Sequence, residues 1–232
     1  MRNIISHSFD SVNYYSSSYV YYDPNSGSPG NFQTTNFRNG VPIGPLSGIE
    51  WQYIYPQGLD DLLRWLADRY RGKGIWLAEL GVAGINEDKK TLSEILNDVE
   101  RINYLDNHIQ AAHRALNEGN VPLECILVWS LLDNWEWQYG YGPRFGVVSV
   151  DYNNGTLARN IKRSGFWLKD YFSYTKSIVD PRLKVVSPPR TNISDIPPDT
   201  VKPVSAGQTP RALNSLFVSI VWILVFAFVF LE

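Results

Sequence analysis

Cysteine, histidine and clusters of basic residues are scarce in this sequence, and each shortage limits what the protein can do. The single cysteine, Cys125, lies in the apolar run CILVW and excludes a disulfide framework within one chain. The three histidines are not spaced as metal ligands, so we expect neither a metal site nor a cofactor. The net charge is −2 and no basic cluster is interleaved with aromatic residues, which makes nucleic acid a poor candidate partner.

The beginning of the sequence also lacks the apolar core of a signal peptide, although its end is strongly apolar. Residues 216–231 carry no charge, and the small residues Ser205, Ala206 and Gly207 precede them with a polar spacer between. This layout fits either a GPI-anchor signal or a short membrane-spanning tail. If a signal peptide exists upstream of this chain, we expect the protein to be extracellular or at the cell surface, anchored to the membrane through this tail.

The composition divides the chain into three regions. Residues 1–175 have the mixture of apolar and polar residues that a packed domain needs. Residues 176–212 are rich in proline, serine and threonine and predict an extended linker, and residues 213–232 form the hydrophobic tail. Asn-x-Ser/Thr sequons occur at Asn154 and Asn192 and are compatible with an exported protein.

Aromatic residues, in contrast, are abundant, with 8 tryptophans and 14 tyrosines. Either core packing or a surface that stacks on flat ligand faces, such as sugar rings, explains them, and composition alone leaves both open. Their densest cluster is ECILVWSLLDNWEWQYGYGPRFG, residues 124–146, at the end of an apolar run.

Three apolar stretches predict strands, and three amphipathic stretches predict helices. The strands are expected in residues 9–22, where a strand leads into a loop, and in 75–79 and 124–130; residues 23–48 are expected to form a long irregular loop. One helix should follow Pro56, with Leu59, Leu62, Leu63, Leu66 and Tyr70 on one face. A second should run unbroken from Leu92 to Leu116 behind a Thr91–Glu94 capping box, and a third should span Leu157 to Phe172.

Alternating strands and helices with near-continuously apolar strands indicate a parallel α/β architecture. A closed (β/α)₈ barrel needs eight strands and about 250 residues. Because only three strands are visible, we predict part of such a TIM barrel.

Candidate functional residues stand where the predicted strands end, which is where barrel active sites are assembled. Glu79 closes the second strand, Trp129, Glu136 and Trp137 follow the third, and the segment Asn13 to Tyr15 follows the first. Glu79 is either a solvated strand boundary or a carboxylate positioned as a nucleophile.

Four ordered motifs resemble glycoside hydrolase family 1, the β-glucosidase family. WSLLDNWEWQYGYGPRFG is similar to the family's Trp-Ser-Leu-Leu-Asp-Asn-Phe-Glu-Trp signature with a following Arg-Phe-Gly, and YPQGLDDLLRWLADRY to its Tyr-Pro-x-Gly-Leu helix start. DVERINYLDNHI and SFDSVNYYSS resemble two further family segments. The resemblance covers about residues 8–172 and implies the C-terminal portion of the family's catalytic barrel.

The resemblance implies a role for each matching residue. Glu79 would be the catalytic nucleophile, and Tyr15 would hydrogen-bond it and hold it ionised. Trp129 would stack beneath the sugar, and Glu136 and Trp137 would bind sugar hydroxyls. Asn13 and Phe145, in the matching Asn-Tyr-Tyr and Arg-Phe-Gly motifs, are expected to contribute to substrate binding.

The chain departs from the family pattern at two places. Ala78 and Leu80 replace the threonine and asparagine that flank the family's nucleophile. The family's acid/base motif, Thr-x-Asn-Glu-Pro, is absent; Asn86 and Glu87 lack the proline and follow a different strand.

The leading hypothesis is therefore a retaining, β-glucosidase-like glycoside hydrolase that cleaves O-glycosidic bonds in carbohydrate metabolism, present here as a fragment without its acid/base half. Its partner would be a β-glucoside or oligosaccharide, and the sequence gives no indication of an oligomeric state. A catalytically inactive, membrane-tethered sugar-binding remnant is the alternative. A third hypothesis gives the aromatic residues a structural role only.

Overall fold

The structure, a computed structural model, describes residues 9–179. Residues 180–212 of the predicted linker and the predicted tail, residues 213–232, lie outside the described part. The last helix runs through Val179 and so includes the first four residues that we assigned to the linker. Within residues 9–179, no helix combines the length and the apolar character that a bilayer crossing requires.

The described residues contain nine strands and four α-helices. The strands are β1 (Phe9–Tyr14), β2 (Tyr19–Tyr22), β3 (Phe32–Thr35), β4 (Phe37–Arg38), β5 (Val41–Pro42), β6 (Gly74–Leu80), β7 (Leu123–Val128), β8 (Val148–Val150) and β9 (Arg159–Ile161). The helices are α1 (Pro56–Arg69), α2 (Leu92–Leu96), α3 (Val99–Gly119) and α4 (Arg163–Val179).

A parallel sheet with the strand order β1-β6-β7 forms the centre of the fold. The three strands lie in the stretches where the sequence predicts them, and the parallel α/β class is confirmed. The first strand is shorter than expected, since it ends at Tyr14 and residues 19–22 form the separate strand β2. Because all three strands point the same way, the residues at their carboxyl ends meet at one edge of the sheet. That edge carries the candidate site.

The helices cover one face of this sheet. Leu59 and Leu63 of α1, Ile75 and Leu77 of β6 and Leu105 of α3 all lie in one core and are almost completely buried. Burial of each such side chain contributes about 1.5–3 kcal/mol. The predicted helix behind Pro56 is confirmed, with the proline in the first turn, where it has no backbone N–H to leave unsatisfied.

The predicted unbroken helix from Leu92 to Leu116 is wrong, because the structure divides it into α2 and α3. The Thr91–Glu94 capping box is present and starts α2. The helix stops at Asn97 and restarts after Asp98, whose buried carboxylate accepts hydrogen bonds from Arg101 and from the backbone and hydroxyl of Ser164. These tertiary contacts override the helical periodicity.

The predicted boundaries of the last helix and of the irregular loop also need correction. The helix begins at Arg163, since Leu157 lies in a turn with φ +51° and Ile161 belongs to β9. The stretch expected to be an irregular loop contains β3, which pairs with β2, and the short hairpin of β4 and β5. Hairpin pairing here involves polar and aromatic residues rather than a buried apolar run, so it leaves no strong strand signal.

Candidate active site

A short hydrogen bond joins the ends of β1 and β6. The Tyr15 hydroxyl donates a hydrogen bond to Oε2 of Glu79, and the two oxygens are 2.5 Å apart. A register shift between Val12 and Asn13 places Asn13 opposite Glu79 in the parallel ladder. Bulges of this kind redirect side chains next to functional sites. Three residues predicted from two separate motifs are thus brought together.

Tyr15 remains a hydrogen-bond donor over the physiological pH range. Burial raises its pKa well above that of an exposed phenol, and the hydrogen bond to the Glu79 carboxylate raises the pKa further. Because the phenol keeps its proton, its hydroxyl group can stabilise negative charge on Glu79 by donating a hydrogen bond.

The second contact of the site lies on the loop after β7. Nε1 of Trp129 donates a hydrogen bond to Oε1 of Glu136, with 3.3 Å between the two atoms. Glu136 is only 8% exposed, and its pKa is raised by burial and by the nearby Glu79, although the Trp129 hydrogen bond acts in the opposite direction. The arrangement combines a flat indole face with an oriented carboxyl group, and apolar surface with a few placed polar groups is typical of small-molecule sites.

A rim of exposed aromatic side chains surrounds these contacts. Trp137 is 78% exposed and Trp135 is 60% exposed, which is unusual for residues this apolar. Trp51, on the loop before α1, lies edge-on to Tyr15 with 5.9 Å between ring centroids. Tyr139 donates a hydrogen bond of 2.9 Å to Oε1 of Glu50 and so links this loop to the loop after β7.

Phe145 is buried beneath the site rather than exposed in it. Its ring is 1% exposed and meets the Tyr15 ring edge-on, with centroids 5.9 Å apart. Together with Ile49 and Ala83 it forms a small apolar cluster, against which Tyr15 and Trp129 pack. In this arrangement Phe145 supports Tyr15 from the interior, and its expected contribution to substrate binding stays a prediction.

Ala78 and Leu80, which differ from the family pattern, do not disturb the end of β6. Leu80 is fully buried in the main core, and its carbonyl accepts a hydrogen bond from the Trp129 backbone N–H at 2.9 Å. The next residue, Gly81, passes so close to Trp129 that a Cβ atom would stand 1.9 Å from its carbonyl oxygen. Glycine is therefore required at this position.

Gln52 is a site residue that the sequence does not reveal. Its buried amide nitrogen donates to the carbonyl oxygens of Gly81 and Tyr15, at 2.7 and 3.2 Å. Its amide oxygen accepts from the Ala83 backbone N–H and the Ser47 hydroxyl, at 3.1 and 2.9 Å. One side chain thus joins the loops that follow β1 and β6. A single glutamine in a loop has no sequence signature that announces this role.

A buried ionic cluster behind the site is the second feature that the sequence does not reveal. Oε1 of Glu87 lies 2.8 Å from Arg101 Nη2, and Oε2 lies 2.7 Å from Lys162 Nζ. Lys162 also contacts Oδ1 of Asp133 at 3.1 Å. Asp133 in turn accepts the Gly146 backbone N–H at 2.9 Å, so the cluster connects the loop after β6 to the loop after β7.

Glu87 is held within this ionic cluster and is therefore unsuited to act as the catalytic proton donor. Burial tends to raise its pKa, but the charges of Arg101 and Lys162 outweigh burial and hold the pKa below its usual value. A carboxyl group that stays ionised cannot act as a proton donor. Among the described residues, no group of three or more potential ligands is arranged to hold a metal ion.

Known proteins match this chain over most of the described region. Residues 2–177 match the profile described as glycosyl hydrolase family 1. Raucaffricine-O-β-D-glucosidase from Rauvolfia serpentina is 41% identical over 176 residues, which cover 72% of this chain and 32% of that protein. The chain thus spans about a third of the length of the curated relatives it matches.

Solved structures show the same fold. A family 1 β-glucosidase from the fungus Humicola insolens, in complex with glucose, aligns with a TM-score of 0.64 and 34% identity over 68% of this chain and 34% of its own. A variant of the rice β-glucosidase Os3BGlu6, in a covalent complex with Glc, aligns with a TM-score of 0.64 and 30% identity over 69% and 35% of the two chains.

Proposed function

The chain belongs to glycosyl hydrolase family 1, and we propose that it carries the nucleophile side of a retaining, β-glucosidase-type active site. The observation that carries this proposal is the 2.5 Å hydrogen bond between Tyr15 and Glu79 at the carboxyl ends of adjacent parallel strands. The chain corresponds to only 32% of the length of raucaffricine-O-β-D-glucosidase. We therefore propose the hydrolase activity for the whole protein.

In the first step, the Glu79 carboxylate attacks the anomeric carbon of a β-glucoside, so that the ester bond of a glycosyl-enzyme forms while the glycosidic C–O bond breaks. The aglycone oxygen leaves with the electron pair of that bond and accepts a proton. Tyr15 stabilises the carboxylate before attack. We assign Asn13 to bind a neighbouring sugar hydroxyl, and its position opposite Glu79 in the sheet supports this assignment. The covalent Glc complex of the rice relative supports this type of intermediate.

Sugar binding is assigned to the loop after β7. Trp129 supplies the flat face beneath the glucose ring, while Glu136 and Trp137 bind hydroxyl groups at its far side. The fixed Trp129–Glu136 contact supports this assignment, because it orients both groups before any ligand arrives. A glucose unit is the substrate part that the relatives' names share. We assign Trp51 to contact with the aglycone, the group attached to that glucose, and the exposure of its side chain supports this assignment.

The reaction also needs a proton donor about 5–5.5 Å from the nucleophile. Glu87 is held in ion pairs, and Glu136 is engaged by Trp129. We therefore assign the acid/base to a carboxyl group outside residues 9–179.

A substrate that needs no proton donor tests the nucleophile directly. A dinitrophenyl fluoroglucoside has a leaving group that departs without protonation, and its fluorine slows hydrolysis of the glycosyl-enzyme. We expect this reagent to add one fluoroglucosyl group to the protein, on the peptide that contains Glu79, as read by mass spectrometry. Glu79→Gln should abolish labelling and should lower turnover in the active whole protein at least about a thousandfold.

Glu118→Gln is the matched control, because Glu118 is an exposed glutamate at the end of α3. It should label like the unchanged protein. Labelling of any residue other than Glu79, or labelling that survives Glu79→Gln, would contradict the assignment.

The second candidate function is sugar binding without chemistry. It is favoured by the Trp129–Glu136 contact, which is complete within this chain, whereas the proton donor is not among the described residues. Titration with glucose or cellobiose should then give saturable binding that Trp129→Ala removes and Trp65→Ala, an exposed tryptophan on α1, retains. Absence of saturable binding in the unchanged protein would exclude this function.

We propose separately that the protein acts outside the cell or at its surface, anchored through residues 213–232. The support is the uncharged run of residues 216–231 and the small residues upstream. Release from membranes by a phosphatidylinositol-specific phospholipase would identify a GPI anchor, and retention with the apolar tail still present would identify a spanning segment. Recovery in the soluble fraction without treatment would contradict both.

A further inference from the structure

We propose that Asn154 is an N-glycosylation site that carries an oligosaccharide on its side-chain nitrogen at the tip of the β8–β9 hairpin. Asn154, Gly155 and Thr156 form one of the two sequons in the chain, and the other, at Asn192, lies outside the described residues. A sequon alone is weak support because it occurs often by chance. The proposal rests instead on the exposure, the hydrogen bonds and the anchoring of this particular turn.

The turn that carries Asn154 is exposed to solvent. Strands β8 and β9 end their antiparallel pairing at Val150 and Arg159, and residues 153–158 between them are exposed. A Cβ atom added to Gly155 would meet no other atom within 4 Å. A sugar attached here would therefore displace no packed side chain.

Two hydrogen bonds join the threonine of the sequon to the side-chain amide of its asparagine. Oδ1 of Asn154 accepts from the Thr156 backbone N–H at 3.0 Å and from the Thr156 hydroxyl at 2.6 Å. Asparagine side chains commonly form such turns with the residue two positions on. Donation to Oδ1 polarises the amide and makes a proton on Nδ2 easier to remove, which is what substitution at that nitrogen requires.

Asp151 orients the same amide from the other side. Nδ2 of Asn154 donates to Oδ2 of Asp151 at 2.5 Å, and the Asp151 backbone N–H donates to Ala158 at 2.9 Å, which closes the turn. The amide nitrogen carries two hydrogens, and glycosylation replaces one of them. The remaining N–H can still donate to Asp151, so the turn survives the modification.

Glycosylation of Asn154 requires one co-reactant, a lipid diphosphate-linked oligosaccharide. Nδ2 of Asn154 attacks the anomeric carbon of the first sugar, so a C–N bond forms and the C–O bond to the diphosphate breaks. Nδ2 loses one proton to the transferase, and the lipid diphosphate leaves with the electron pair of the broken bond. No oxidant or reductant is involved.

The hairpin is fixed to the rest of the protein close to this turn. The Tyr152 hydroxyl donates to the Asp133 carbonyl at 2.5 Å, and the Tyr152 ring stacks on Tyr141 with centroids 4.0 Å apart. At its base, the Val150 N–H donates to Oδ2 of Asp133 at 3.3 Å. A glycan on Asn154 would thus be held beside the loop that carries Glu136 instead of on a free arm.

The site is independent of hydrolase activity but requires the exported location proposed above. The full protein, isolated from its own source, is treated with peptide N-glycosidase in oxygen-18 water and digested with trypsin. The enzyme converts a glycosylated asparagine to an aspartate that contains oxygen-18. We expect the label at position 154 in the tryptic peptide that spans residues 145–159, and only when the glycosidase is added, because spontaneous deamidation of the Asn-Gly pair in the same water needs no enzyme.

Four variants make the test specific. Asn154→Gln and Thr156→Ala should remove the label, while Thr156→Ser should retain it at lower occupancy because a hydroxyl remains. Asn153→Gln, the neighbouring exposed asparagine outside the sequon, should change nothing.

Three outcomes would overturn the proposal. Label at Asn192 but not at Asn154 would show that the transferase met this chain and did not use the hairpin. Label at neither position would show that the chain is not glycosylated. Aspartate at 154 without oxygen-18 would show spontaneous deamidation of the Asn-Gly pair only.

Discussion

Tyr14 and Tyr15 follow one another at the end of β1, and their hydroxyl groups bind different partners. Tyr15 donates to the Glu79 carboxylate, whereas Tyr14 points into the core and donates to the Tyr55 carbonyl at 2.6 Å. The two residues have the same chemistry on opposite faces of one strand. They therefore offer a matched pair that separates catalysis from stability.

Replacing Tyr15 by phenylalanine removes one hydroxyl and keeps the ring on Phe145. A hydrogen bond to a charged group contributes about 1.5–3 kcal/mol, so we expect kcat/KM of the active whole protein to fall about ten- to a hundredfold, with little loss of stability. Steady-state kinetics and urea unfolding of the same preparation measure both quantities.

Tyr14→Phe should show the reverse result. Its loss leaves the Tyr55 carbonyl without this donor and should lower the free energy of unfolding by about 1 kcal/mol while the kinetics stay unchanged. If both variants lose activity equally, the Tyr15 hydroxyl has no special role at Glu79.

The residues that the sequence identifies and those that it misses differ in whether they stand in a recognisable motif. Glu79, Tyr15, Trp129 and Glu136 stand in contiguous motifs, each at the end of a predictable strand. Gln52 binds Gly81, 29 positions away, and Lys162 binds Glu87, 75 positions away. No local pattern announces such pairs, because the fold alone brings them together.

At the level of elements, the ionic cluster explains why helical periodicity misled the prediction. The apolar spacing continues from Ile95 through Val99 to Ile102, so the pattern favours one helix. The break at Asn97 and Asp98 turns the Asp98 carboxylate towards Ser164 and Arg101 instead. Polar contacts between elements thus determine the boundary between α2 and α3, which the spacing of apolar residues does not predict.

Lys162→Met should destabilise the protein strongly. The substitution keeps much of the side-chain volume but leaves Glu87 and Asp133 buried without this cation. Loss of one partner from a buried ion pair typically costs about 3–5 kcal/mol. Urea denaturation, followed by circular dichroism, measures the change in the free energy of unfolding.

Lys169→Met is the control on α4, because Lys169 is exposed. Its effect should remain within about 0.5 kcal/mol. Equal and small effects of the two substitutions would mean that the buried cluster contributes nothing net to stability.

At the level of the whole molecule, one buried histidine links stability to pH. His108 on α3 is fully buried, stacks on Tyr104 with centroids 3.9 Å apart, and places Nδ1 2.8 Å from the Tyr104 carbonyl oxygen. Burial lowers its pKa from 6.5 to about 4. Tyr14 also faces the ring, but its own pKa is raised to about 12 by burial, so it does not titrate in this range.

The direction of the pH effect follows from this shift. The unfolded chain binds a proton at His108 below pH 6.5, whereas the folded protein resists protonation down to about pH 4. Stability should therefore be greatest above pH 6.5 and should fall as the pH drops towards 4, by about 3 kcal/mol from this residue.

His108→Phe should keep the stacked ring and remove this part of the pH dependence. Unfolding free energies measured at several pH values from 7 down to about 4 give the slope for both proteins. An unchanged slope in the variant would show that His108 titrates equally in the folded and unfolded states.

The bonds of Gln52 have a consequence for exchanging parts between related enzymes. Because one side chain holds Tyr15, Gly81 and Ala83 together, the segment around residue 52 and the strand ends behave as a single interchangeable unit. A chimera that imports the loop before α1 from a relative would have to include an equivalent amide. Without it, the graft would displace Tyr15 and Gly81, which contact Glu79 and Trp129, together with the loop that it was meant to exchange.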